Sequence, residues 1–481
     1  MTGVSTTVIP SADAVARLVA DAVASRTAAG ERRPGGVDPG WVDAARGARP
    51  LVGEISALRE RLRVAGLGRV VLAGTGGTGV AAEVLAGPGA RLTVLDGTDP
   101  VQVAEALAGD LESTVLVVSA PDGAPTAGLE LVWDTVAGAM RADGLDPADQ
   151  TVLVATPDSP LIARADGAVV VLGPARVTGP WTALTAFALV PAGLAGADVE
   201  AVLADAADTR ALLGTDEASD PAVTLGALLA DTPVVALDGR EPLAEWVAGL
   251  LAAGLGRALL PVVVESPGAP GWAERTIAFD DGGGDDSGAD IVTAGSPAAQ
   301  MLLWQHAVAA AAHLTGDTPA PPESGSPTAT ADRPTFTDGM VEVFGDWLPP
   351  GTATVADALR ALLAAGEAHP GVAVHAYLDR HDDASAALLR PELTRRTGRI
   401  TAFGWAERAL ATATAVCQVT GSDGDGDGSD DPGGDPFSAF QQASARADAA
   451  ALTRDGATVL RLHLTDRVVG LVTLVRAVQE L

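Results

Sequence analysis

The chain has 481 residues, a single cysteine and a formal net charge of −31. One thiol excludes an internal disulfide framework and a cysteine-rich zinc site, and the acidity opposes nucleic acid and anionic membrane surfaces. All 31 basic residues are arginine, which removes Schiff-base, P-loop-lysine and lysine acid–base chemistry.

Some 47% of the residues are apolar, yet no run is long enough to span a bilayer. The opening MTGVSTTVIPSADAVARLVA has no basic segment leading into an apolar one, so the cytoplasm is the expected location. Residues 1–47 read as a helical lead-in.

Short apolar strands then alternate with Ala/Leu-rich helices. The strands of the first half are RVVLAG, RLTVLDG, STVLVVSA, QTVLVAT and GAVVVLG, with helical stretches at 79–86, 100–109, 127–143 and 158–165. Continuous Val/Leu runs separated by helices predict a parallel sheet covered on both faces, whose ligands sit at the carboxyl ends of the strands. The pattern restarts with TPVVALDG, ALLPVVVES, RTIAFDD and ADIVTAG around helices at 241–254 and 297–314. A proline-rich linker follows at 317–334. Further units are VAVHAYLD, a helix at 383–395, RITAFG, TAVCQVT, a helix at 437–453, TVLRLHLTD and a terminal helix.

The stretch 70–85, VVLAGTGGTGVAAEVL, is a strand, a glycine turn and a helix start, a junction suited to an anion. The same glycines also serve in a turn that binds nothing. Cys417, in AVCQV, reads as buried filler. His306 and His313 are seven apart on one helix, whereas a metal pair on a helix is usually four apart, so they read as packing or surface residues. DGDGDG at 423–428 has acids at the spacing of a calcium loop, but its twelfth position is Gly434, so a solvated acidic loop is expected over 421–435. No metal and no cofactor is expected.

In order, GTGGTG, VVSAPDGAPT, TPDSPL, GPWTALTAFALVPAGLAGADVEAVL, AEWVAGLLAAGLGRALLPVV, ITAFGWAERAL and TVLRLHLTDR resemble the glucose-6-phosphate isomerase family and its sugar-isomerase (SIS) domains, from about residue 50 onward. The resemblance implies an α/β fold of two SIS-type parallel-sheet α/β/α sandwich domains with helical N- and C-terminal extensions. The expected division is 1–47, 48–220, 221–400 and a C-terminal segment 401–481 that packs across both domains. The implied activity is aldose–ketose isomerisation of a hexose phosphate in glycolysis and gluconeogenesis, by a dimer.

That reaction needs a phosphate anchor, ring opening, a carboxylate that moves a proton between adjacent carbons, and a cation to steady the enediolate. The resemblance assigns the phosphate to Gly76, Gly77, Thr78, Ser119 and Thr126. It places the family's catalytic glutamate on Ala253 and its GGRYS arginine on Pro180. Glu245, two turns earlier on the same helix, and Arg176 are the only nearby substitutes, and both also read as surface residues. The histidine of the family's FLH becomes Ala411, and the HKGGP turn is missing before CQVT. The expectation is therefore a catalytically impaired homologue that at most binds a sugar phosphate or regulates, as a homodimer or as a heterodimer with an active paralogue. The alternatives are an active isomerase that uses the substitutes, and an interaction protein without a ligand.

Overall fold

The computed structural model describes residues 5–8, 39–74, 77–121, 127–213, 219–239, 242–265, 269, 273, 275–280, 288–316, 333–366, 371–406, 413–422 and 435–481. Among the described residues the strands fall into three sheets.

Strand β1 (Ser5–Val8) belongs to the second sheet. The first sheet holds β2 (Arg69–Gly74), β3 (Leu92–Leu95), β4 (Thr114–Ala120), β5 (Thr151–Ala155) and β6 (Val169–Leu172). All are parallel, in the order β3-β2-β4-β5-β6. The second sheet holds β7 (Val234–Asp238), β8 (Leu260–Val264), β9 (Arg275–Asp280) and β10 (Ile291–Ala294) in the order β1-β10-β9-β7-β8. It is parallel except for β1, which lies antiparallel along β10. The two parallel α/β sheets expected from the sequence are present. The lead-in differs from expectation in part: Ser5–Val8 is a strand, and the short helix Ala44–Gly47 is the helical piece among its described residues.

The third sheet holds β11 (Phe336–Asp338), β12 (Val341–Phe344), β13 (Gly371–Tyr377), β14 (Ile400–Trp405), β15 (Ala415–Gly421) and β16 (Thr458–Leu464), in the order β11-β12-β16-β15-β13-β14. β13 pairs in parallel with both β14 and β15. Strands on either side of residue 400 therefore share one sheet.

Side-chain alternation explains the layering. Val70 and Leu72 of β2, Val115 and Val117 of β4, and Val152 and Val154 of β5 face one core, which also contains Val235 and Leu237 of β7. Their neighbours Val71, Ala73, Leu116, Val118 and Leu153 face the opposite core, under the helix Ala127–Ala142. A strand buried on both faces has to be apolar throughout. The other face of the second sheet, through Val234, Leu260 and Val262, packs on Ala373, Ala402 and Val416 of the third. The guanidinium of buried Arg390 donates to the Glu265 carboxylate, 2.7 Å from Nε to oxygen, across the same seam.

Helix starts follow a simple rule. Asp99–Pro100, Asp146–Pro147, Asp220–Pro221, Asp435–Pro436, Ser159–Pro160 and Ser296–Pro297 each place a capping oxygen before a proline in the first turn. The side chain accepts from an otherwise unpaired backbone N–H, and the proline has none to lose.

Candidate functional site

Strand β2 ends at Gly74, and Gly77 starts the helix Thr78–Ala86 with φ +78°, a left-handed conformation that disfavours any side chain. Gly79, in the first turn, has no room for one either: a Cβ there would lie 2.4 Å from Cγ1 of Val94 and 2.9 Å from Oδ2 of Asp96. Gly76 and Thr126, both assigned to phosphate, lie outside the described residues, as do Ala411 and the segment 407–412 around it.

The Gly179–Thr182 turn lies over this helix start. A Cβ on Gly77 would be 3.7 Å from the nitrogen of Pro180. Thr78 is fully buried, with its hydroxyl 3.5 Å from that of Thr182, which in turn donates to the Gly179 carbonyl at 2.8 Å. Ser119, at the end of β4, is also fully buried, and its hydroxyl donates to the Phe187 carbonyl at 3.0 Å. Both hydroxyls are engaged inside the protein, which leaves the helix start its backbone N–H groups.

The helix Pro242–Leu255 packs against both the Gly179–Thr182 turn and the helix Thr78–Ala86. It carries Ala253, which is exposed, and Glu245, which is partly buried. Arg176 is exposed and has φ +66°. Behind Pro180, the ring of Trp181 lies 5.0 Å from that of Trp41, and Trp41 meets His306 edge-on at the same separation. The Gln305 side chain donates to the Trp181 carbonyl at 3.0 Å, which holds the turn in place. The structure thus brings together the elements bearing Gly77, Thr78, Pro180 and Ala253, and the groups it brings together are mostly small or apolar.

Cys417 is buried on β15, and burial pushes its thiol up to about 12. His313 is partly buried near the end of its helix. Among the described residues no group of three His, Cys, Asp or Glu side chains is arranged to hold a metal. The calcium-like stretch 423–428 lies outside them.

A second polar region lies where β3 meets the third sheet. Arg467, at the start of the helix Arg467–Gln479, donates to Asp99 and to Asp383, each at 2.8 Å, and all three side chains are buried. Burial pushes the Asp383 carboxyl above its ordinary value, against the pull of Arg467. Arg380 donates to Glu83 at 2.6 Å, tying the loop after β13 to the helix Thr78–Ala86. The Tyr377 hydroxyl donates to Asp448 at 2.5 Å; burial raises that carboxyl, and the hydrogen bond opposes the rise. His463 sits between the hydroxyls of Thr420, 2.9 Å from Nδ1, and Ser422, 3.1 Å from Nε2. Burial, with Arg461 and Arg467 nearby, lowers it to about 4, so it is neutral at physiological pH. Sequence reasoning missed this region, because its members are separated by up to 368 positions. Two local signals pointed to parts of it: the TDP cap at 98–100 and the charged run DRHDD at 379–383.

No protein-family model matches the sequence. Over 202 residues it is 34% identical to a probable glucose-6-phosphate isomerase of Natronomonas pharaonis, covering 39% of this chain and 47% of that protein. The chain thus matches about half the length of that curated relative. Its fold is similar to the crystal structure of a glucose-6-phosphate isomerase from Chlamydia trachomatis, with TM-score 0.52 and 16% identity over 66% of this chain and 85% of that one. It is similar too to a hypothetical protein from Thermus thermophilus, with TM-score 0.51 and 19% identity over 63% of this chain and 90% of that one. Among the described residues no helix is long and apolar enough to cross a membrane.

Proposed function

Starting from a chain whose sequence match and fold make it a divergent relative of the glucose-6-phosphate isomerases, we propose that it holds a hexose phosphate at the glycine turn but isomerises it poorly or not at all. The observation that carries this reading is the corner itself. The turn bearing Pro180 lies against Gly77, and the helix bearing Ala253 packs on both elements. A methyl group moves no proton and a pyrrolidine ring steadies no enediolate. The chain has no lysine to supply the missing cation.

Phosphate retention rests on the helix start, whose first backbone N–H groups and dipole favour an anion. The engaged hydroxyls of Thr78 and Ser119 make that anchor weaker than one supported by side chains. The same reading has the protein working in the cytoplasm as a homodimer, or as a heterodimer with an intact copy whose activity it regulates. The second reading, an active isomerase, has Glu245 on the right helix and Arg176 just before the right turn in its favour.

The test is fructose 6-phosphate turnover by protein purified from an isomerase-deficient host. We expect background rates, together with line broadening of glucose 6-phosphate in a phosphorus NMR titration. Robust turnover that Glu245→Gln or Arg176→Met abolishes would establish the second reading instead.

A further inference from the structure

The helix Arg467–Gln479, RVVGLVTLVRAVQ, is apolar almost all round. Leu471, Leu474, Ala477 and Val478 enter the core of the third sheet. The outer face carries more of the same: Val468 is 74%, Val472 54% and Val469 47% exposed. Met340, 45% exposed, extends this patch, because the Thr465 hydroxyl, just before the helix, donates to its carbonyl at 3.3 Å. Valine suits an exposed helix position poorly, since its branched side chain loses rotamer freedom there and gains no burial. Scattered apolar side chains on a surface are ordinary. Here four of the nine large ones that are exposed among the described residues gather in one place. A helix with two apolar faces is expected to be covered on both.

The charges select the cover. At −31 the chain repels any acidic protein, a copy of itself included, except where the contact is free of acids. The helix has no Asp or Glu from Arg467 to Gln479. Its exposed cation is Arg476, which has no ion-pair partner among the described residues. At the other end Asp466 caps the helix, accepting from the Val469 N–H at 2.9 Å through Oδ1, and its second oxygen has no partner among them. A two-fold axis through Val472 would set two such helices antiparallel. Position 468 of one then faces position 476 of the other, so the stem of Arg476 covers Val468 and its head reaches the end capped by Asp466. Antiparallel macrodipoles add to the attraction. The face is thus complementary to itself, as an isologous contact requires. We infer that it pairs with the same face of a second copy of this chain.

This inference names the surface of the homodimer proposed above and rests on that part of the reading. A single pair of helices covers less than the roughly 1,200 Å² of a standard interface, so the dissociation constant is expected in the micromolar range.

The test is sedimentation equilibrium of the full chain from about 1 to 200 µM, which should show monomer and dimer in exchange. Val468→Asp combined with Val472→Asp should weaken the dimer about tenfold or more. Measured at the dilute end, the melting temperature should not fall, because both positions are exposed and acids suit the first turns of a helix. Val472→Cys, on the axis, should cross-link to its own copy in oxidised glutathione. Val64→Cys, equally exposed on the helix Leu51–Val64, should not, and the native Cys417 is buried. A chain that stays monomeric throughout leaves the stripe to a different protein and overturns both the inference and the homodimer. A dimer that survives the two aspartates, or equal cross-linking at Val64, overturns the assigned face and leaves the homodimer standing. Neither result touches the reading of the glycine turn.

Discussion

β2 and β3 are neighbours in one sheet, and their carboxyl ends differ in kind. Beyond β2 the chain places Gly77, buried Thr78, Pro180 and the Trp181–Trp41 stack, a corner filled largely by small and apolar groups. Beyond β3 it places Asp96, Asp99, Arg467, Arg380 and Gln441, a polar seam with acceptors to spare. Both lie at the carboxyl edge of a parallel sheet, the edge at which ligands of such sheets sit, and the end of β2 borders the switch point between β2 and β4. The difference shows that topology offers the edge, and the segments arriving from elsewhere in the chain decide whether it can do chemistry.

The harshest test of the comparison is Arg467→Met. It strands two buried carboxylates, Asp99 and Asp383, and should cost about 3–5 kcal/mol in urea unfolding. A silent substitution would mean that the seam is not held by that ion cluster. Next in size is a pH effect. His463 titrates near 4 in the fold and near 6.5 when unfolded, so the unfolded chain takes up the proton first as pH falls. Its contribution is present above about 6.5, declines below that, and is lost near 4; the total is about 3 kcal/mol. Asp383 and Asp448 carry the opposite sign, since the fold holds their protons to higher pH than the unfolded chain does. Their contribution weakens as pH rises through their raised values. A His463→Asn variant should therefore show a flatter stability profile between pH 6.5 and 4 by denaturant titration.

Gly79→Ala joins the two regions, because its new Cβ would press on Val94 and on the Asp96 carboxylate. A loss of about 1–3 kcal/mol is expected from overpacking, read as a lower melting temperature. The smallest effect should come from Thr182→Val in the apolar corner. It removes the hydroxyl that donates to Gly179 and lies near Thr78, and should cost about 1 kcal/mol. If Thr182→Val proved as costly as Arg467→Met, the contrast between the two corners would fail.

Much of the local structure was legible. The Val/Leu runs of β2, β4 and β5 were readable as doubly buried strands because apolar side chains on both faces leave no polar period to confuse them. The third sheet was not read as one body. Parallel pairing of β13 with β14 and β15 joins segments whose own patterns say nothing about their partners. β11 and β12 were also passed over; at three and four residues they are too short to show a period. At the corner, the motif order led to Thr78, Pro180 and Ala253, but not to the inward commitment of the Thr78 and Ser119 hydroxyls. That depends on Thr182 and Phe187, which lie 104 and 68 positions away.

The sequence by itself determined the α/β class, the glycine turn and the absence of lysine, because each is a property of residue type and local spacing. Tertiary structure alone decided that Asp99, Asp383 and Arg467 share one buried cluster, and that the Gln441 oxygen finds no partner among the described residues. Charges and amides act over a few ångströms of space, and a linear chain does not record which of its distant segments will come that close.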